Sequence, residues 1–102
     1  MAVCEAVIDL AAALFDVSGK DLRRPGRSPL AVARVRQIAM YVAHVGLGLP
    51  MGEIGRGFGR DRTTVVHACH LIEDMRDDAD FDAIVATCER VVRAAFERGE
   101  AA

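Results

Sequence analysis

Arg60, Asp61, Arg62, Thr63 and Thr64 follow one another inside the stretch EIGRGFGRDRTTVVHAC, residues 53–69. These side chains suit the edges and backbone of a nucleic acid. A guanidinium offers a planar fork of donors that matches guanine O6 and N7, or a phosphate, and this run supplies two. Asp61 can accept from cytosine N4, or it can cap a helix. Thr63 and Thr64 are short enough to bond a phosphate or to set a methyl against a thymine methyl. If a helix begins here, its unpaired N–H groups and dipole favour phosphate as well. An ordinary capped helix start with solvated arginines fits the same five residues.

Other spacings carry less chemistry. Gly55, Gly57 and Gly59 form a G-x-G pattern, but no strand precedes it, so helix packing and capping explain it better than a nucleotide fingerprint. His67 and His70 flank Cys69 and lack the further ligands a metal needs. Glu73-Asp74 and Asp77-Asp78 read as a solvated helix end and the next N-cap. No G-x-x-x-x-G-K-[ST] loop is present, because "SGKD" at residues 18–21 has no upstream glycine at the required spacing. With no nucleophile–base pair or carboxylate dyad either, the expectation is no enzyme, no cofactor, no metal and no nucleotide.

Charge is unevenly placed. The net formal charge is −2, but residues 1–19 carry −3, residues 20–62 carry +6 and residues 63–102 carry −5. A basic middle between acidic ends points to a polyanion at one face. Cys4, Cys69 and Cys88 are odd in number and widely spaced, which fits reduced thiols in a cytosol. There is no apolar run of about 18 residues to span a bilayer. The N-terminus carries Glu5 and Asp9 and no basic leader region. The expected location is cytoplasmic and nucleoid-associated, away from membranes.

The elements that must position the 60–64 run are helical. The chain has 102 residues, of which 52% are hydrophobic, enough for one modest core. Val3, Val7, Leu10 and Leu14 recur as an amphipathic stripe that should stop near Asp16. A turn of helix is expected at residues 18–22. Pro25 and Gly26 break the chain, and Ser28-Pro29 reads as an N-cap followed by proline at the first helical position. Val32, Val35, Ile38 and Val42 carry that helix to about Val45. A short helix over Met51–Phe58 buries Ile54 and Phe58, and Gly59 ends it as a glycine cap. Asp61 caps the next helix, which buries Val65, Ala68, Cys69 and Ile72 and ends near Asp77. A last helix from about Asp80 buries Phe81, Ile84, Val85, Cys88, Val92 and Phe96. The fold class is all-α. A short helix, a tight glycine turn and a longer helix make a helix-turn-helix, whose second helix would enter the major groove with its first turn.

The residues RQIAMYVAH at 36–44, followed by MGEIGRGFGRDRTTVVHACHLIE at 51–73, resemble the C-terminal DNA-binding domain of the bacterial replication initiator DnaA. The signature there runs close to L-P-E-I-G-x-A-F-G-G-R-D-H-T-T-V-x-H-A-C. The segment VIDLAAALFDVSGKDLRRPGR is similar to the lead-in to that domain, so the likeness covers most of residues 3–77. It implies a small Trp-repressor-like helical bundle. It also implies that Arg60, Asp61, Thr63 and Thr64 match recognition-helix residues that touch bases and phosphates, and that Arg36 matches a phosphate-contacting arginine. Arg27 lies one position from the minor-groove arginine, and Ser28 holds the aligned place. Arg62 stands where the family usually has a base-contacting histidine. One glycine of the G-G pair is missing, and the family's ATPase domain has no counterpart here.

The sequence therefore divides into a leading helix and basic linker at 1–26, a helix-turn-helix core at 29–77 and an acidic C-terminal helix at 78–102. The expected function is sequence-specific binding of double-stranded DNA at DnaA-box-like sites, regulating replication or transcription without its own ATPase. Residues 20–36, with Arg27, Arg34 and Arg36, and the 60–64 turn, with His67 one helical turn on, should lie against the duplex. The alternative is a protein-interaction module on the same scaffold, with a protein partner on the C-terminal helix.

Overall fold

The computed structural model describes the backbone of residues 2–101 and the side chains of residues 2–97. Six helices follow in order: α1 (Ala2–Phe15), α2 (Gly19–Arg23), α3 (Leu30–Val45), α4 (Met51–Phe58), α5 (Arg62–Met75) and α6 (Ala79–Ala101). Among the described residues there is no strand.

α1 ends where Asp16 takes a left-handed φ of 54°, and the Val17 N–H closes back onto the Ala12 carbonyl at 3.0 Å. That is the six-to-one bond of a helix stop. Its core face is Cys4, Val7, Ile8 and Ala11, while Leu14 is 43% exposed. The stripe expected through Val3, Leu10 and Leu14 is thus turned toward Ile8. Residues 2–15 are apolar nearly all round, so periodicity there points in no single direction. α2 is a single short turn capped by the Ser18 hydroxyl, which accepts from the N–H groups of Lys20 and Asp21.

α3 is the central helix, packed against α1, α2, α4, α5 and α6. It is buried from Val35 to Ala43 except at Gln37. It begins one residue later than expected, with Pro29 at the cap and no side-chain capping bond. Ser28 is not the cap: its hydroxyl instead accepts from Arg36 Nη2 at 2.8 Å.

α5 stops at Met75, two residues short of the expected end, and Asp78 caps α6 by accepting from the Phe81 N–H at 2.8 Å. α6 meets the bundle through Val85, Cys88 and Val92, with Phe81 and Phe96 half-buried beside them. Ile84, expected inside, is 48% exposed. The burial stripe is narrower than the apolar set because one helix face is all that α1 and α3 cover.

Arg76 ties α6 to the rest. It pairs with Asp82 and Glu89, donates to the Tyr41 hydroxyl at 3.1 Å and sits 5.7 Å over the Tyr41 ring. The Tyr41 hydroxyl in turn donates to the Glu73 carboxylate. Pairing with Asp82 first of all holds the Arg76 guanidinium above its ordinary pKa, and burial raises that of Tyr41. Three acidic groups of the last third, Glu73, Asp82 and Glu89, are used here, away from α5's first turn.

All three cysteines are free and buried. Burial raises each thiol's pKa, that of Cys88 to about 11. The thiolate is the reactive form. Ellman's reagent at pH 8 is therefore expected to label the native protein slowly and to titrate three thiols once urea unfolds it. Rapid native labelling of even one would contradict the packing.

Candidate nucleic-acid interface

The turn between α4 and α5 is built from backbone contact. Gly59 adopts φ +67°, and its N–H reaches the Arg56 carbonyl at 3.3 Å. The next N–H, of Arg60, reaches the Gly55 carbonyl at 2.8 Å. A Cβ on Gly55 would stand 2.7 Å from the Arg60 carbonyl oxygen and 3.3 Å from the Arg62 nitrogen. The second helix is therefore set directly on the backbone of the first, and one glycine suffices to close the turn.

α5 then divides by face. Val65, Ala68, Cys69 and Ile72 are buried, whereas Asp61, Arg62, Thr63, Thr64 and His67 are exposed. Asp61 occupies the cap position, but its carboxylate makes no capping bond; its backbone carbonyl takes the Thr64 and Val65 N–H groups instead. The acidic side chain is thus left at the surface beside Arg62.

The basic linker lies alongside. One cleft joins Pro25 and Gly26 to Gly55, Arg60, Asp61 and Thr64. A second runs between α3 and α5, past Arg36, Gln37, Arg60, Thr64 and His67. Arg27 is exposed and lines a third with Asp21, Arg24 and Ser28. Arg34 is half-buried, with Nη1 donating to Gln37 Oε1 at 2.8 Å.

Two of the expected contact residues are engaged inside the protein. Arg36 is only 6% exposed. Its Nε donates to the Leu22 carbonyl at 2.9 Å, and Nη2 donates to the Asp21 carbonyl at 3.0 Å and to Ser28 Oγ. Burial, and then the nearby Arg60 charge, lower its pKa from the usual arginine value. Arg60 donates to the carbonyls of Phe58 and Arg24. The sequence points both arginines at DNA; the carbonyls of Leu22, Asp21 and Arg24 that they reach lie 14 to 36 positions away and leave no local signal. The packing expected of the G-x-G glycines is found at Gly55, although the spacing does not say which backbone the glycine meets.

A helix-turn-helix with this exposed first turn finds its match in known proteins. The family described as bacterial dnaA protein helix-turn-helix matches residues 4–72. The chain belongs to that family. As a DnaA-type helix-turn-helix it is a DNA-binding module. The chromosomal replication initiator protein DnaA of Mycobacteroides abscessus is 42% identical over 62 residues, 61% of this chain and 12% of that protein. A crystal structure of a DNA replication initiation factor superposes with a TM-score of 0.82 at 26% identity, over 91% of this chain and 29% of that one. The chain thus spans a small part of the DnaA relatives it matches.

Among the described residues, no group of three or more His, Cys, Asp or Glu side chains could hold a metal ion. No described helix is long and apolar enough to cross a membrane.

Proposed function

We propose that the chain binds double-stranded DNA at sites resembling DnaA boxes and regulates replication initiation or transcription there. The observation that carries this is the division of α5, whose inner face is core while Arg62, Thr63, Thr64 and His67 form an exposed row from its first turn. Asp61 and Arg62 would read base edges, and Thr63 and Thr64 would meet a phosphate or a thymine methyl. Arg27 and Arg34 would lie against the backbone, with Arg27 nearest the minor groove. Arg36 acts from behind by holding the linker.

Fluorescence anisotropy with a DnaA-type box, a scrambled duplex and several salt concentrations tests the reading. Tighter binding to the box, falling steeply with salt, is the expected result. Arg62→Ala should cost about 1–3 kcal/mol on the box, relaxing specificity at particular base pairs. Equal losses on box and scrambled DNA would show that Arg62 does not read bases.

The second reading, a protein-interaction module, draws on the exposed Leu14 and Ile84, which line a cleft between α1 and α6. Retention on DNA or heparin at low salt is demanded by the first reading and not by the second.

A further inference from the structure

The connection from α2 to α3 hangs on two guanidinium groups. Arg36 reaches up from α3 to the carbonyls of Asp21 and Leu22 and to the Ser28 hydroxyl. Arg60 comes from the turn of the helix-turn-helix. Its Nη2 donates to the carbonyl of Arg24, the residue that ends α2, at 2.8 Å, and its Nη1 donates to the Phe58 carbonyl at 3.1 Å. One planar fork thus spans the turn before α5 and the start of the basic linker, 36 residues away in the chain. The linker needs such ties. Residues 23–27 are exposed, Gly26 sits at φ +82°, and a Cβ there would meet nothing within 4 Å. Little packing fixes this segment, so polar anchors at its two ends decide where it lies.

We propose that Arg60 is a positioning residue: its fork locks residues 24–28 beside the first turn of α5, so that Arg24, Arg27 and the Arg62–Thr63–Thr64 row present one surface to a duplex. This rests on the DNA-binding reading above. A lysine in its place keeps the charge but cannot donate to two carbonyls along the two arms of a rigid plane. A direct phosphate contact, by contrast, tolerates lysine because it needs little more than the point charge.

The test is a double-mutant cycle of Arg60→Lys and Arg27→Ala, read by anisotropy on a DnaA-type box. Amide hydrogen exchange of the same proteins without DNA runs beside it. Arg60→Lys is expected to weaken binding about tenfold, and Arg27→Ala to lose most of its own effect in that background. In the free protein, exchange at residues 24 and 26–28 should accelerate while the amides of α3 and α5 keep their rates. If Arg60→Lys disturbs the whole fold, one glycine inserted after Gly26 serves instead. It slackens the linker with Arg60 intact and should likewise abolish the contribution of Arg27. Binding within about twofold of the parent, with the two losses multiplying, would make Arg60 an ordinary phosphate contact and overturn the proposal. Unchanged exchange in the linker would overturn it too, leaving DNA binding untouched. A parent protein that binds no duplex at all would instead remove the DNA reading, and the proposal would fall with it.

Discussion

Gly55→Val is expected to lower stability by about 3 kcal/mol, and to weaken DNA binding on box and scrambled duplex alike. The first added atom already decides the sign. A Cβ at this position would lie 2.7 Å from the Arg60 carbonyl oxygen and 3.3 Å from both the Arg62 nitrogen and the Asp61 carbonyl carbon. All three are backbone atoms of the turn and of α5, so none can swing aside as a side-chain tip could. Relief requires α5 to move away from α4, which opens the core at Ile54 and Val65, both wholly buried. Alanine normally gains about 1 kcal/mol over glycine inside a helix. Gly55→Ala should nevertheless destabilise, because the clash exceeds that gain. Gly52→Ala is the control: its Cβ would meet only the Arg56 guanidinium at 3.8 Å, an ordinary contact. It should be neutral or slightly stabilising. Urea denaturation of the three variants measures the difference, and a Gly55→Ala protein as stable as the parent would contradict the contact between the two helices.

That contact marks the boundary of what the residue pattern reveals. The two helices of the helix-turn-helix are legible because each writes its own signal. Ile54 and Phe58 lie four apart, Gly59 supplies the left-handed stop, and Val65, Ala68, Cys69 and Ile72 keep helical spacing over a polar opposite face. The same spacing leaves Arg62, Thr63 and Thr64 outside the buried set, so their exposure could be read in advance. α1 and α6 are less legible. Their apolar residues exceed what their neighbours cover, and the surplus, Leu14 and Ile84, lies at the surface. Ser28 and Asp61 both carry capping chemistry at a helix start, yet neither side chain caps. Ser28 serves Arg36, and Asp61 faces outward. Local pattern cannot foresee such outcomes, because the competing partner comes from elsewhere in the fold. Arg36 and Arg60 show this most plainly. Nothing in either neighbourhood announces that the acceptors are the last carbonyls of a short helix 14 to 36 positions away.

Arg36→Met should reveal the strength of that buried fork. Methionine keeps much of the side-chain length and removes the charge and every donor. Two carbonyls and a hydroxyl then lose their partner in a place where Arg36 is only 6% exposed. Hydrogen bonds from a charged group, left unmade at a buried site, cost about 3 kcal/mol in all. For a domain of this size that is a fall of about 15 °C in Tm. Arg36→Lys should recover only part of it, since one ammonium cannot reach acceptors spread over Asp21, Leu22 and Ser28 as a fork does. The loss should show no pH dependence of its own between pH 5 and 9: burial and Arg60 lower the Arg36 pKa, yet an arginine stays protonated throughout that range. Thermal denaturation followed by circular dichroism gives the first number. Binding at a temperature where both proteins are folded gives the second. A residue that only touches phosphate would leave Tm where it was and reduce the salt slope by about one. A residue that hangs the linker on α3 lowers Tm first, and affects DNA through the misplaced residues 24–28. An unchanged Tm for Arg36→Met would put its guanidinium at the surface and return it to the duplex.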